Sequence, residues 1–383
     1  MSMNTREFLA SAFGVVAATG ASGALAATPP SGVGAASTGA QLNVRDFGAK
    51  GDGKTPDTAA VQAAIDAAGK VEGAVYFPPG TYLCHDLKAR PHMALVADPV
   101  WIFRGETHGA VLQLDDAKAK CLLDITGAYG VRVRGLMLNG IRQTPKPVHG
   151  IHLDNPRAWS KKEDTVCIDD VKVQGFSGHG IFLDRIWLFI IRHSQCFGNL
   201  GCGCCIRGWD GFVTDNQFSD NGSHGFGCLE VGATVMFTAN RVEWNRGYGL
   251  YVCRGDAWNV TGNSFDRNWS AGLCLDHVSA STVTGNLFRR CGKDANRLAK
   301  GEKSCQVRLM DSKGIAFTGN ACRVGRDDGG KGKYTPQVGF HVKGMSYSII
   351  SANTLSSGYT EQMILDEGGH GPDFIVKDNV GMP

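Results

Sequence analysis

Titratable and aromatic side chains recur at a nearly constant spacing in the second half of this 383-residue chain. Tyr251 and His277 are candidates for proton transfer, because phenol and imidazole groups commonly act as general acids and bases. Asp184, Glu230 and Asp276 are candidates for paired carboxylates, which could act as an acid and a base. Nearby lie five cations that could bind an acidic substrate: Arg185, Arg207, Arg254, Arg308 and Lys343. The indole ring of Trp209 could stack on a sugar.

These side chains belong to a repeated phrase that consists of a Gly, an alternating apolar triplet and a polar cluster. The copies cover residues 149–154, 179–184, 202–207, 224–229, 248–253, 271–276 and 338–343. Successive Gly positions from 180 to 272 are 22 to 24 residues apart. A fixed period of this size predicts a solenoid.

Within each phrase the apolar residues alternate, as in Ile181 and Leu183 or Leu250 and Val252, which indicates a strand with one buried face. Strands that recur once per coil in the same direction stack in parallel, about 4.8 Å apart. An Asn recurs downstream in step with the phrase, and its amide could bond the Asn of the next coil. These residues are Asn216, Asn240, Asn263, Asn286, Asn320, Asn353 and Asn379. The sequence therefore predicts an all-β parallel β-helix of about ten coils.

Aligning the phrases predicts which side chains face outward. The first outward column contains His152, Phe182, Cys205, Gly227, Tyr251, Cys274, Arg308 and His341. The second contains Asp154, Asp184, Arg207, Leu229, Cys253, Asp276, Met310 and Lys343, with Arg185, Glu230, Arg254, His277 and Asp311 just beyond. The side chains next to Tyr251 in its column are small, which predicts a concave space in the middle of this face.

Residues 43–83 carry a second signature. The stretch from NVRDFGAKGDGKTPDT to GAVYFPPGTYL resembles the opening of the pectate lyase superfamily, and with the coils the resemblance covers roughly residues 43–380. It implies a right-handed β-helix that acts on carbohydrate, usually an acidic polysaccharide bound along a groove. Asp57 or Thr58 is expected to cap a short helix that closes the N-terminal end, with one apolar face. That face comprises Ala60, Val61, Ala64, Ile65 and Ala68.

Lyase or epimerase chemistry on a uronate is the first hypothesis for function. It needs a cation on the carboxylate, a base for the C5 proton and an acid for the leaving oxygen. Residues 248–255 resemble the alginate C5-epimerases, although the Asp-Pro-His-Glu segment of those enzymes has no counterpart in residues 179–185. No cofactor is required, and calcium is possible because lyases on this scaffold often use it.

Two other functions stay open. An inverting glycoside hydrolase could use Asp184 with Glu230, or Glu230 with Asp276, each pair about 9.6 Å apart if they stand two coils apart. The polygalacturonase-like pairing of Asp169 and Asp170 with the Gly-His-Gly of residues 178–180 is interpreted as coincidence, because the two segments are less than one coil apart. A noncatalytic, polysaccharide-binding protein of the cell envelope is the third hypothesis.

Residues 1–27 are typical of a signal peptide, either twin-arginine-like or Sec, which predicts export to the periplasm or beyond. Residues 28–41 are expected to be a flexible linker and residues 42–383 a single domain. The net charge of +3 is too small to favour nucleic acid, and no apolar run in the mature chain is long enough to span a bilayer. The expected partner is a polysaccharide or oligosaccharide, and the sequence does not predict an oligomeric state.

The thirteen cysteines are an odd number, so at least one thiol is unpaired. Cys202 and Cys204 are expected to share one face of a strand while Cys205 points to the other, so the sequence predicts no metal site. Basic insertions at residues 293–303 and 326–333 are expected to wall a groove. Trp187, Trp209 and Trp258 follow the same strand on three coils and could either stack on sugar rings or pack under turns.

Overall fold

The computed structural model describes residues 41–103, 107–155, 163–292, 302–323 and 334–381. The expected signal peptide, nearly all of the linker, insertion 326–333 and most of insertion 293–303 lie outside these residues. Within the described part of the chain, no helix is both long and apolar enough to cross a membrane.

Each coil contributes strands to three faces, and every strand pairs in parallel with the coils before and after it. Face 1 contains the repeated phrase, and faces 2 and 3 follow it along the chain. Three long strands bend from face 1 into face 2: Ile181–Arg192, Cys204–Thr214 and Phe226–Thr238.

The other strands of face 1 are Leu87–Lys88, Cys121–Asp124, His149–Asp154, Leu250–Cys253, Leu273–Asp276, Cys305–Met310, Val338–Lys343 and Gln362–Asp366. Those of face 2 are Gln41–Asn43, Ala74–Tyr76, Ala94–Val96, Arg132–Arg134, Val166–Asp169, Gly255–Asp256, Asn259–Thr261, Ser279–Thr284, Lys313–Thr318, Ser348–Ser351 and Phe374–Lys377. Those of face 3 are Asp52–Pro56, Gly80–Cys84, Ala110–Leu114, Met137–Asn139, Lys172–Gln174, Gln195–Phe197, Gln217–Ser219, Arg241–Glu243, Ser264–Asp266, Leu287–Arg289, Ala321–Arg323, Thr354–Leu355 and Val380–Gly381.

The 13 strands of face 3 mark more coils than the roughly ten that the sequence predicts. The additional coils lie between residues 41 and 139, where the repeated phrase is too weak to recognise. Their strands are short, and tertiary stacking on the next coil determines them more than local alternation does.

The inward residues of successive coils form continuous apolar ladders, as the alternation predicts. Ile181, Leu183, Leu250 and Val252 are fully buried, and the register places equivalent residues of neighbouring coils opposite one another. A ladder of phenylalanines runs beside them through Phe237, Phe265, Phe288 and Phe317, with successive ring centroids 6.5, 4.9 and 6.3 Å apart. Burial of these rings supplies most of the driving force for stacking coils.

The recurring Gly of the phrase is required by the close approach of the next coil. A Cβ atom at Gly203 would lie 2.7 Å from the carbonyl oxygen of Gly225, and one at Gly249 would lie 2.5 Å from that of Gly272. Carbon and oxygen atoms that are not bonded cannot approach so closely, so any side chain would push the coils apart. The period that identifies the solenoid in the sequence is therefore a packing requirement.

The predicted asparagine ladder is confirmed from Asn216 to Asn379. Each side-chain amide donates to the Oδ1 atom of the Asn one coil ahead, at 2.8 to 3.1 Å. A second ladder, Asn199, Asn221, Asn245 and Asn268, lies at the other end of the face 3 strands and was not predicted. Both ladders satisfy backbone groups at corners that are closed to water.

We expect Asn240→Ala to lower the free energy of unfolding by about 3–5 kcal/mol, because several buried polar groups lose their partners. Asn240 is 2% exposed, accepts from the backbone N–H of Asn216 at 3.0 Å and donates to the Val213 carbonyl at 2.9 Å. Denaturant unfolding followed by circular dichroism measures the loss. Asn259→Ala, which removes a half-buried amide bonded to Thr261, is the control and should cost under about 1 kcal/mol; equal losses would contradict the ladder's importance.

The predicted N-terminal helix spans Thr58–Lys70, follows a short 3-10 helix at Val44–Phe47, and packs on the first coils. Val61, Ala64, Ile65 and Ala68 are buried on its inner side. Asp57 precedes the helix without making a side-chain cap. Its carboxylate accepts from the N–H groups of Lys50 at 2.6 Å and Gly51 at 2.9 Å instead, so it fixes the turn at residues 50–51.

Candidate functional site

The strand register confirms the first predicted outward column of face 1. The second column is confirmed from Asp154 to Arg207 and from Cys253 to Lys343, and an irregularity after Ile206 interrupts the pairing at Leu229. In the first column, Cys205 lies opposite Gly227, Gly227 opposite Tyr251, and Tyr251 opposite Cys274. In the second column, Asp154, Asp184 and Arg207 are neighbours on consecutive coils, and Cys253 is followed by Asp276. The middle of face 1 therefore contains one large aromatic side chain between small ones.

Tyr251, Asp276 and His277 form one connected group, which we call the Tyr251 group. The Tyr251 hydroxyl lies 3.4 Å from Oδ2 of Asp276, and Nδ1 of His277 lies 2.7 Å from Oδ1 of the same carboxylate. Because an ionised carboxylate only accepts hydrogen bonds, Nδ1 carries the proton and the neutral ring keeps a lone pair on Nε2. The His277 side chain is 61% exposed, so that lone pair is accessible to a ligand.

The corner after each face 1 strand turns these side chains outward. His277 has φ of 56° and Arg254, at the equivalent corner one coil earlier, has φ of 51°. The Arg254 backbone N–H donates to the Asp276 carbonyl at 2.8 Å, which fixes the two corners to each other. Arg254 is exposed and makes no ion pair with any described residue. A cation without a counter-ion therefore lies beside the Tyr251 group.

Two further rings support Tyr251. Its ring centroid lies 5.3 Å from that of Tyr248 and 5.1 Å from that of His224. Nδ1 of His224 accepts the backbone N–H of Tyr248 at 3.0 Å, so the neutral ring carries its proton on Nε2. Burial lowers the pKa of His224 and raises the pKa of Tyr251 and of Tyr248. Near neutral pH all three rings are thus uncharged hydrogen-bond donors.

The supporting rings belong to a column that was not considered as candidate site residues. On five coils it consists of the residue immediately before the recurring Gly of the phrase, and these residues are His149, His179, Cys202, His224 and Tyr248. Their side chains stack against the first outward column, for example His179 on Phe182 at 5.4 Å. The signal was present in the sequence, because imidazoles, a thiol and a phenol recur at one position of the repeat.

A notch at Gly227 separates two groups of stacked rings. A Cβ atom at this position would lie 3.4 Å from Sγ of Cys202, 3.4 Å from Cδ2 of His224 and 3.2 Å from Leu229. Gly227 is itself buried among these side chains. The concave space that the small residues suggest between Cys205 and Tyr251 stays a prediction.

Asp184 and Glu230 are both bound to Arg207. Arg207 donates to Asp184 through Nε at 2.6 Å and Nη2 at 2.7 Å, and to Glu230 through Nη1 at 2.5 Å. Arg185 forms ion pairs with Asp154 and, at 3.2 Å, with Asp184. Asp184 and Glu230 therefore face a shared cation rather than an open space for a sugar and a water.

Of the other predicted substrate-binding residues, two are engaged in ion pairs and one lies on a different face. Arg308 forms an ion pair with Glu302, and Lys343 lies 3.4 Å from Glu367. Trp209 lies on face 2, opposite Trp187 of the preceding coil. The suggestion that Trp258 stacks on a sugar is wrong, because this ring is 1% exposed and its Nε1–H donates to the Gly232 carbonyl at 2.9 Å.

Asp169, one member of the polygalacturonase-like pair, is held by contacts with other side chains of the protein. Arg192 and His193 contact its carboxylate at 2.9 and 3.0 Å. Burial opposes ionisation of Asp169, but hydrogen bonds from Arg192 and His193 outweigh it and lower the pKa of this group. Since the folded-state pKa lies below the unfolded value, Asp169 stabilises the fold above about pH 4 and loses this contribution as the pH falls through its lowered pKa.

We therefore expect Asp169→Asn to lower the melting temperature at pH 7 and to approach the wild type as the pH falls below about 4. Thermal unfolding across this pH range measures the difference. Asp220→Asn, which alters an exposed carboxylate two coils further along, is the control and should show only a small change. A deficit of Asp169→Asn that grows toward acid pH would contradict the sign of the shift.

Two clusters in the described ranges bring together potential metal ligands. Asp276, His277 and Asp311 place one donor atom each within 4.8 Å of one another, and so do His179, Cys202 and Cys205. Calcium prefers six to eight oxygen ligands, and neither cluster supplies a set of that kind. The residues of the Tyr251 group thus do not fit a protein-bound calcium ion.

The expected orientation of the cysteines is wrong. Cys204 points into the core and is fully buried, whereas Cys202 and Cys205 both lie on the outward side with His179. The reason is that the strand begins at Cys204, so Cys202 lies in the preceding turn and strand alternation does not apply to it. All thirteen thiols are free, and all except Cys253 are buried.

Comparison with known protein families matches two parts of the chain. Residues 41–102 match the family described as rhamnogalacturonase A/epimerase, pectate lyase-like. Residues 149–322 match the family described as right handed beta helix region. The first match covers the N-terminal signature, and the second covers most of the coils that form the candidate site.

Curated relatives from Azotobacter vinelandii match about half of this chain. Mannuronan C5-epimerase AlgE2 is 31% identical over 246 aligned residues, which cover 56% of this chain and 23% of the relative. Alginate lyase 7 is 31% identical over 207 residues, or 49% of this chain and 23% of the relative. The chain therefore spans about a quarter of the length of these two proteins.

Solved structures show the same fold. The A-module of mannuronan C-5 epimerase AlgE6 from Azotobacter vinelandii superposes with a TM-score of 0.60 at 21% identity. The match covers 89% of this chain and 99% of that module. At this level of identity the likeness establishes the β-helix architecture, and the chemistry must be argued from the side chains of this chain.

Proposed function

Because this chain belongs to the right-handed parallel β-helix proteins of the pectate lyase superfamily, we propose that it removes the C5 proton from uronate residues of an acidic polysaccharide. The relatives that are mannuronan C5-epimerases or an alginate lyase support a substrate of the alginate type. The observation that carries the proposal is the connected Tyr251 group beside the unpaired Arg254. The expected signal peptide would bring the enzyme to such a polymer outside the cytoplasm.

Arg254 is the group that we assign to the substrate carboxylate. Removal of a C5 proton places negative charge on the adjacent carboxylate, and a guanidinium that binds it in a bidentate fashion stabilises this charge. Arg254 suits the role because no described carboxylate competes for it, whereas Arg207, Arg185 and Arg308 are engaged in ion pairs.

His277 is the proposed base. Asp276 holds the ring with the proton on Nδ1, and the Nε2 lone pair is directed away from that carboxylate. As Nε2 takes the C5 proton the ring becomes an imidazolium, and the negative charge of Asp276 stabilises it. This arrangement uses the carboxylate as a positioning residue and not as the acid of a hydrolase.

Tyr251 is the proposed acid. Burial raises the pKa of its phenol, so the hydroxyl keeps its proton at neutral pH and is available as a donor. Protonation of C5 from the opposite face would complete an epimerisation, whereas protonation of the O4 leaving group would complete a β-elimination. Both outcomes need the same three side chains, and they differ in whether the acid protonates C5 or the O4 leaving group.

The test is to incubate the purified chain with mannuronan, alginate, pectate and glucuronan. Ultraviolet absorbance of the unsaturated uronate reports elimination, and proton NMR of the sugar composition reports epimerisation. Either change supports the proposal. Release of reducing ends without either change would favour a hydrolase, and a polymer that binds but stays chemically intact would favour the noncatalytic alternative.

A further inference from the structure

We propose that His179, Cys202 and Cys205 form a binding site for a thiophilic divalent cation such as zinc. The site lies in face 1 below the notch at Gly227 and shares no residue with the Tyr251 group. The inference is independent of the proposed function, because it rests on the ligand geometry alone.

The three side chains converge from two coils. Cys202 and Cys205 come from the turn and strand of one coil, and His179 comes from the equivalent turn of the coil before. One donor atom from each lies within 4.8 Å of the other two. Tetrahedral zinc with Zn–S bonds of about 2.3 Å needs sulfur atoms roughly 3.8 Å apart, so the cluster requires only a small contraction to close around the ion.

The environment favours a cation with soft ligands. Cys202 is 0% exposed and Cys205 is 3% exposed, and two buried thiolates are costly without a positive partner. A divalent ion would neutralise both charges. Thiolate with imidazole is the donor set that zinc prefers, and it excludes calcium and magnesium, which require oxygen ligands.

His179 is oriented before any ion binds. Its Nδ1 atom accepts the backbone N–H of Cys202 at 2.9 Å, and its ring stacks on Phe182 at 5.4 Å and on His149 at 5.2 Å. These contacts fix the position of the ring above the two thiols. Coordination by His179 requires that a ring nitrogen exchange its hydrogen-bonding role for the ion, while both sulfur atoms need only lose their protons.

The site also has an open coordination position. Gly227 lies opposite Cys205 on the next coil, and a Cβ atom there would lie 3.4 Å from Sγ of Cys202. Because Gly227 has no side chain, no side-chain atom of this residue occupies the space next to that sulfur. Three protein ligands and one open position describe a zinc ion that can bind a water or a ligand group.

The test uses the reduced, chelator-treated chain without an affinity tag, titrated with Co²⁺ and Zn²⁺. We expect one ion per chain, with a thiolate-to-cobalt charge-transfer band that zinc abolishes. Cys202→Ser and Cys205→Ser should each weaken binding by more than the roughly 100-fold typical of losing a second-shell partner. Cys253→Ser removes the most accessible thiol of the same face and should leave binding unchanged.

Circular dichroism of each variant verifies folding, and His179→Gln provides a third test that leaves both thiols in place. Loss of the charge-transfer band in the folded Ser variants supports the site. The proposal is overturned if the reduced chain binds no stoichiometric ion, or if the double Cys202→Ser, Cys205→Ser variant binds it as well as the wild type. It is also overturned if the isolated chain carries a Cys202–Cys205 disulfide and binds no ion after reduction, which would indicate a redox pair.

Discussion

Tyr251→Phe is expected to lower kcat on the uronate polymer by about 10²–10⁴-fold, the usual contribution of a general acid. The variant keeps the ring that stacks on Tyr248 and His224, and it removes only the hydroxyl next to Asp276. The fold should therefore be intact, and the loss belongs to the chemical step. Steady-state kinetics with the accepted polymer measures it.

Tyr347→Phe is the matched control for this variant. Tyr347 is 53% exposed and lies outside the Tyr251 group, so removal of its hydroxyl should change kcat less than about twofold. If Tyr251→Phe keeps wild-type activity, the hydroxyl donates no proton in the reaction. A large rise in KM with unchanged kcat would instead assign Tyr251 to substrate binding.

His277→Asn is expected to cause a second loss of about 10²–10⁴-fold, because the Asn amide has no basic lone pair to accept the C5 proton. Asn tolerates the left-handed backbone at φ of 56° and can still donate a hydrogen bond to Asp276, so the corner should keep its shape. Added imidazole should restore part of the activity if the missing group is the base. Initial rates with and without imidazole measure both effects.

His193→Asn provides a close match for the structural consequences of that change. His193 is also exposed, has φ of 50°, and pairs with a carboxylate, Asp169, but it lies at the corner between faces 2 and 3. We expect near wild-type activity for His193→Asn. Equal losses in the two variants would show that the corner geometry matters and that the imidazole of His277 is not the base.

The repeat architecture is predictable from the sequence because one periodic constraint acts on many coils. The Gly of the phrase cannot be replaced without a clash with the next coil, and the downstream Asn must bond its neighbours, so both leave a regular trace. Period-two alternation then assigns each residue of the strand to a side. Counting residues along each strand therefore identifies the outward columns, which include Tyr251 and Asp276.

The details of the site depend on geometry that has no such period. Whether Arg207 is available to a substrate is decided by its 2.6 Å contact with Asp184, which is a matter of side-chain rotamers. The convergence of Cys202 with Cys205 depends on where a strand begins, since alternation holds only inside the strand. The free Arg254 and the occupied Arg207 are chemically identical in the sequence, and only their neighbours distinguish them.

The turn that precedes each strand also contributes side chains to the site, and the candidate residues predicted from the sequence did not include them. His224 and Tyr248 lie there, and both contact Tyr251 in the structure. Turn residues are usually explained by backbone conformation, but in a β-helix the turns stack as regularly as the strands do. A column of chemically similar side chains in a turn is thus as informative as a column in a strand.

The most direct test of the proposed C5 proton removal is to follow that proton while a mannuronan is incubated with the chain in deuterium oxide. We expect the C5–H signal of the converted residues to be lost. Epimerisation would leave deuterium at C5, and elimination would leave a C4–C5 double bond. Both changes should be suppressed in Tyr251→Phe and His277→Asn. Cleavage of the polymer with every C5 proton retained would contradict C5 proton removal and would indicate hydrolysis.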